Sequence, residues 1–128
     1  MNPAAKRIAK RAALKKGHQG ERFALLALLF KFYRIEARNY RGHQGEIDII
    51  VRRGRVIAFV EVKARANFAE AETAIDRTKL IRMSKAASHW LARHPWALAY
   101  TLRIDAIDIV PGHWPRHRRD IAPLMIGH

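Results

Sequence analysis

The stretch "GEIDIIVRRGRVIAFVEVKAR", residues 45 to 65, constrains the fold of this chain more than any other. It is dense in β-branched residues and carries a glycine where a tight turn would fall. That pattern predicts two strands, about 46–52 and 56–63, joined in a hairpin around Arg53 and Gly54. Glu46, Asp48, Glu61 and Lys63 interrupt it with charge. Side chains alternate faces along a strand, so Glu61 and Lys63 share one face and Val60 and Val62 the other, while Glu46 and Asp48 lie opposite Ile47, Ile49 and Val51. For Ile47, Ile49 and Val51 to share a core face with Val56, Ala58, Val60 and Val62, the loop must have an even number of residues, because a slip of one residue flips every side chain. A two-residue loop at Arg53-Gly54 sets Glu46 opposite Glu61 with Asp48 diagonal to it. A four-residue loop sets Asp48 directly opposite Glu61. In both registers the acids converge.

Converging carboxylates repel, and without a counter-charge one of them holds a proton near neutral pH. A divalent cation removes the conflict: two carboxylates, a backbone carbonyl and waters make the incomplete oxygen shell in which Mg2+ or Mn2+ shares a phosphate with its substrate. Lys63 follows two residues after Glu61 on the same side, where an ammonium can hold an attacking water or stabilise charge on phosphate. That is phosphodiester hydrolysis chemistry. Glu61-x-Lys63 is the sole acid-x-Lys in the chain, and Asp48 stands thirteen residues upstream across the hairpin. The competing reading is a solvated sheet face carrying a cross-strand Lys and acid pair, against which the apolar character of the strands counts.

The charge of the chain points to the same class of partner. Lys and Arg number 25 against 11 Asp and Glu, a net charge of +14, and Arg (17) outnumbers Lys (8). Paired guanidinium donors match phosphate oxygens, so nucleic acid is favoured over a membrane surface. Cysteine is absent, which removes disulfides, thiolate catalysis and Cys-ligated zinc and fits a reducing compartment. The first fifteen residues lack the layout of an export signal, and the longest apolar run, "FALLALLF" at 23 to 30, is too short to span a bilayer. A cytoplasmic location with no membrane partner is the expectation.

Along the chain, residues 1–20 read as a basic arm, 21–110 as one domain and 111–128 as a basic tail with Arg116, Arg118 and Arg119. The segment from Glu21 to about Lys31 is apolar enough to predict a largely buried helix. "FYRIEARNY" alternates as a half-buried strand, and "RGHQG" turns it back. After a polar, alanine-rich loop, Thr73 to Arg93 has Ile75, Leu80, Met83, Ala87, Trp90 and Leu91 at helical spacing, with Trp90 read as core, and "HPW" stops it. Residues 98–110 form a last strand. The order α-β-β-β-α-β predicts an α/β fold with a mixed sheet, the second helix crossing over to bring the last strand back beside the third.

The blocks "GERFALLALL", "ARNYRGHQGEIDII", "FVEVKAR", "AIDRTKLIRMSKAASHWL" and "LRIDAIDIV", spanning about 17 to 110, resemble the YraN-like family of small bacterial proteins. That family is placed in the PD-(D/E)XK nuclease superfamily and likened to Holliday junction resolvases. The resemblance implies a restriction-endonuclease-like core and a Mg2+- or Mn2+-dependent endonuclease acting on DNA, including branched or flapped forms, with RNA and a homodimer left open. By position it implies that Asp48 and Glu61 bind the metal, that Lys63 is the catalytic lysine and that Glu21 is an acid supplied by the first helix. Glu46 matches a position of less certain role. Lys15, Lys16, Arg41, Arg65, Arg77 and Lys79 are the candidates for contact with the phosphate backbone. The alternative is a non-catalytic nucleic-acid-binding protein that keeps the fold.

Other features carry less. Glu21 taken alone suits a helix N-terminus through the macrodipole. Lys79 suits a solvated helix face equally well. His113 and His117 have i, i+4 spacing, but Pro115 between them breaks the helix a metal pair would need. Asp105 and Asp108 read as strand-end or ion-pair residues, and Trp114 as an aromatic that could stack on a base.

Overall fold

The computed structural model describes residues 19–73 and 75–125. The basic arm, with Lys15 and Lys16, lies almost wholly outside them. Five strands form one sheet in the order β1-β2-β3-β4-β5: β1 Arg34–Gly42, β2 Gly45–Arg53, β3 Val56–Ala64, β4 Thr101–Ile109 and β5 Arg116–Ala122. β3 and β4 run parallel, and the other three pairs are antiparallel. Three helices accompany them: α1 over 19–30, the single turn α2 Phe68–Ala71, and α3 Arg77–Arg93, followed by a 3-10 turn at Pro95–Ala99. This is the expected α/β class, a mixed sheet flanked by helices, consistent with a restriction-endonuclease-like core.

Both faces of the sheet are covered. Ile47, Ile50, Ile57, Phe59 and Ile104 pack under Met83, Ala86, Ala87, Trp90 and Leu91 of α3. On the other face Ile49, Val51, Ala58, Val60 and Ile107 pack under Ala24 and Leu28 of α1. Trp90, 1% exposed, fills the α3 side, and its truncation to Ala removes about 3–5 kcal/mol. Close backbone approach fixes where α3 crosses: a Cβ on Gly45 would collide with the Arg82 carbonyl.

Four expectations are corrected. Ile47 does not share a face with Ile49 and Val51; it joins Ile50 on the α3 side. The alternation breaks where β1 and β2 skip a pair, between Arg38↔Ile49 and Tyr40↔Ile47, at Asn39 with φ of +48° and Asp48 opposite it. The hairpin loop is Gly54-Arg55, since Arg53 pairs with Val56. Gly54, with φ of +58°, supplies the positive φ that a type II′ turn demands at its first central residue. α1 is not largely buried: Phe23, Leu26, Leu29 and Phe30 are all about half exposed or more. The stretch expected to be a basic tail supplies β5, whose Arg116 and Arg118 reach Asp108, fully buried within β4.

Candidate active site

The site lies at the end of the sheet where β3 and β4 finish and β2 begins. The β2–β3 ladder runs from Arg53↔Val56 to Ile49↔Val60 and then stops. One step further in that register, Asp48 stands across from Glu61, which is the second of the two registers the sequence allowed. Where backbone pairing ends, the Asp48 side chain takes over: the Val62 amide donates to Asp48 Oδ2 at 2.8 Å. A carboxylate thus occupies the position of a ladder acceptor where the backbone pairing of β2 with β3 has ended.

Glu61 faces the α3 side and is 8% exposed, and its Oε2 has no hydrogen-bond partner among the described residues. Burial pushes its carboxyl above the ordinary range; Lys79 and then Lys63 pull it back, Asp48 pushes it further up, and Arg65 opposes. The positive charges nearby act at a distance, and the buried oxygen itself lacks a donor. Lys63, 4% exposed, does not supply it: its Nζ donates to the carbonyls of Thr73 at 2.7 Å and Ala71 at 3.2 Å. Those carbonyls lie at and just beyond the C-terminal end of α2, which the sequence marks by its N-cap: the Asn67 side chain accepts from the Glu70 amide at 2.9 Å. The polar, alanine-rich composition of this stretch predicts a loop and masks the N-cap signal within it.

Glu21, on α1, is 9% exposed and its Oε1 has no partner among the described residues. The neighbouring Gly20 lies against Ala64 and Ile109, which sets this part of α1 over the C-terminal ends of β3 and β4. The fold therefore brings Asp48, Glu61 and Lys63 together and Glu21 to the same end of the sheet. Lys79, in the first turn of α3, is the cation with the largest effect on Glu61. Arg77 and Arg65 are exposed at the same end. Arg41 is also exposed, 4.0 Å from Glu46, which lies 3.7 Å from Arg82 as well. Glu46 is thus spent on surface arginines and does not face Glu61.

Metal fit can be read from the donors. Among the described residues no three His, Cys, Asp or Glu gather in a ligand cluster. The pair Asp48 and Glu61, with an orphaned Glu61 oxygen, fits the one or two carboxylates by which Mg2+ is commonly held, with water and substrate oxygens completing its shell. No helix among the described residues is long and apolar enough to cross a membrane.

The family model described as "Uncharacterised protein family UPF0102" matches residues 20–109. Relatives carry the same family name: one from Methylobacterium nodulans is 53% identical over 91% of this chain and 88% of its own length. Another, from Methylorubrum extorquens, is 56% identical over 84% of each chain. A third, from Brucella canis, is 44% identical over 84% of this chain and 86% of its own. The matched span contains Glu21, Asp48, Glu61, Lys63 and Lys79 and ends at Ile109, before β5. The chain belongs to the UPF0102 family, the YraN-like group that its sequence blocks resemble.

Proposed function

We propose that this protein is a metal-dependent nuclease that hydrolyses phosphodiester bonds in DNA. The observation that carries the reading is the meeting of Asp48 and Glu61 where the β2–β3 ladder opens, with Glu61 buried and one of its oxygens unmatched. Asp48 and Glu61 would hold Mg2+ or Mn2+, which when bound polarises a phosphate oxygen and lowers the pKa of a coordinated water. Lys79 and Arg77 would contact the flanking phosphate, and the net charge of +14 favours a polyanion in general. Lys63, which donates to the Ala71 and Thr73 carbonyls, ties the end of α2 to β3; it would turn to the reacting phosphate on exchange of those contacts. Glu21 adds a second buried carboxylate oxygen for orienting a water.

The second reading, a nucleic-acid-binding protein without catalysis, draws on one observation: the Lys63 ammonium is already occupied by two carbonyls. One experiment separates the two. Purified full-length protein is incubated with labelled duplex, single-stranded, flapped and four-way-junction DNA, and with RNA, in Mg2+, Mn2+ or EDTA. The nuclease reading expects products that appear only with metal. Binding with no product under any condition would replace it with the second reading.

A further inference from the structure

A groove of about 800 Å3 opens on the α1 side of the same sheet end, lined among others by Phe23, Ala64, Arg65, His113, Trp114 and Pro115. Its position ties it to the site: Ala64 follows Lys63 directly, and Gly20, also in the lining, precedes Glu21. Two large aromatics in it are open to solvent, Trp114 at 59% and Phe23 at 55% exposure. Trp114 is braced from outside the groove, its ring meeting Phe30 edge-on at 5.8 Å between centroids. Arg65 is exposed at the rim and fixed by its main chain, whose amide donates to the Ile109 carbonyl at 3.0 Å. Its Nη1 donates to the Ala64 carbonyl at 2.9 Å, leaving other guanidinium donors for a phosphate.

We infer that this groove is a stacking subsite for an unpaired nucleobase, so that the protein takes its nucleic acid at single-stranded stretches and not on continuous duplex. A base inside a duplex has both faces covered by its neighbours, whereas an unpaired base offers them to an aromatic ring. An apolar groove with a braced indole and a fixed Arg at its rim meets both halves of a nucleotide, the ring by stacking and the phosphate by charge. Charge also decides against a second copy of this chain as occupant, since that would bring two bodies of net charge +14 together. The substrate assignment rests on the nuclease reading of the neighbouring site, but the stacking itself does not.

The test is a polarisation titration of the full-length protein in metal-free buffer, using a short labelled oligothymidylate and an abasic oligonucleotide of equal length and charge. Base-bearing strand is expected to bind roughly tenfold tighter. Trp114→Ala should bring oligothymidylate down to the abasic level, and Trp114→Phe should keep most of the difference. Melting curves of both variants check that each is folded, as exposure of Trp114 leads one to expect. Equal affinity of wild type for the two strands, or a difference that survives Trp114→Ala, overturns the inference. So does a base-independent wild type that sediments as a dimer and becomes a monomer on Trp114→Ala, which would give the groove to a second copy. Base-dependent binding with no cleavage in Mg2+ or Mn2+ defeats only the nuclease reading. Metal-dependent cleavage with no base dependence defeats only this one.

Discussion

β3 and β4 lie side by side and parallel, and each buries acids, yet the two strands treat them in opposite ways. On β4, Asp105 and Asp108 are fully buried and fully supplied. Asp105 accepts from Arg103 at 2.8 Å, from His117 at 2.7 Å and from the Asp120 amide at 3.0 Å, and Arg103 goes on to Tyr33. Asp108 receives Arg116 at 2.8 Å and Arg118 at 2.7 Å. On β3, Glu61 is nearly as buried and keeps an oxygen without a donor, while the closest lysine in sequence is turned to carbonyls. Burial of an acid is therefore uninformative by itself; what sets Glu61 apart from Asp105 and Asp108 is that the fold leaves one of its oxygens without a donor.

The largest effect expected from this contrast is on cleavage. Asp48→Asn and Glu61→Gln keep side-chain size and remove the charge that would hold a metal, so metal-dependent cleavage should fall by orders of magnitude. DNA affinity in EDTA should stay the same or improve, because a repelling carboxylate has gone. Asp105→Asn, assayed per folded molecule, should cleave at close to the wild-type rate. If Asp105→Asn loses as much activity as Glu61→Gln, the division between the two strands is wrong.

Next in size is the stability of the supplied pair. Asp105→Asn leaves Arg103 facing a neutral amide in a site where the carboxylate was 0% exposed, and breaking a buried ion pair costs about 3 kcal/mol or more. Although burial pushes the Asp105 carboxyl up, bonds from His117, Arg103 and the Asp120 amide outweigh it, and the group sits below the ordinary carboxylate range. A lowered folded pKa means stability that is complete above the unfolded value near 3.8 and is lost as pH falls through the folded one. Urea unfolding should thus show wild type and Asp105→Asn far apart at neutral pH and converging only in strong acid. A constant gap down to that range would show that the carboxylate charge contributes little.

The same contrast explains what could be read from sequence. The hairpin, the strand β4 that follows α3 and the amphipathic α3 itself follow from alternation and helical spacing, which are local and survive in one dimension. The meeting of Asp48 with Glu61 was one of two registers open to it, and the choice needed the Gly54-Arg55 turn. β5 was missed because "RHRRDIA" carries four charges in seven residues. Such a segment reads as solvated until Arg116 and Arg118 are seen to answer Asp108, and His117 and the Asp120 amide to answer Asp105, acids whose burial only the tertiary fold creates. The partly bare α1 was missed for the converse reason: its apolar residues outnumber the places the sheet offers them, and Phe23, Leu26, Leu29 and Phe30 are left facing out. Lys79 could be placed on the helix but not over Glu61, since that depends on how α3 crosses the sheet at Gly45.

The smallest effect, and the one with the opposite sign, belongs to Glu61. Its folded pKa is raised by burial, so the folded chain holds that proton more tightly than the unfolded chain does. Stability is then greatest below the unfolded value near 4.5 and is eroded as pH rises through the folded one. Glu61→Gln removes the charge that is costly to bury, and in EDTA at neutral pH it should stabilise the protein by about 1 kcal/mol, the lower end of the cost of an unsatisfied buried polar group. The gain should shrink toward acid, where wild-type Glu61 is itself neutral. Added Mg2+ or Mn2+ should reverse the order, raising the wild-type melting temperature through binding to the folded state while leaving Glu61→Gln nearly unmoved. Scanning calorimetry of both proteins with EDTA and with metal reads all of this. A Glu61→Gln variant less stable than wild type in EDTA would mean that Glu61 has its donors after all, and β3 would then differ from β4 only in which side chains supply them.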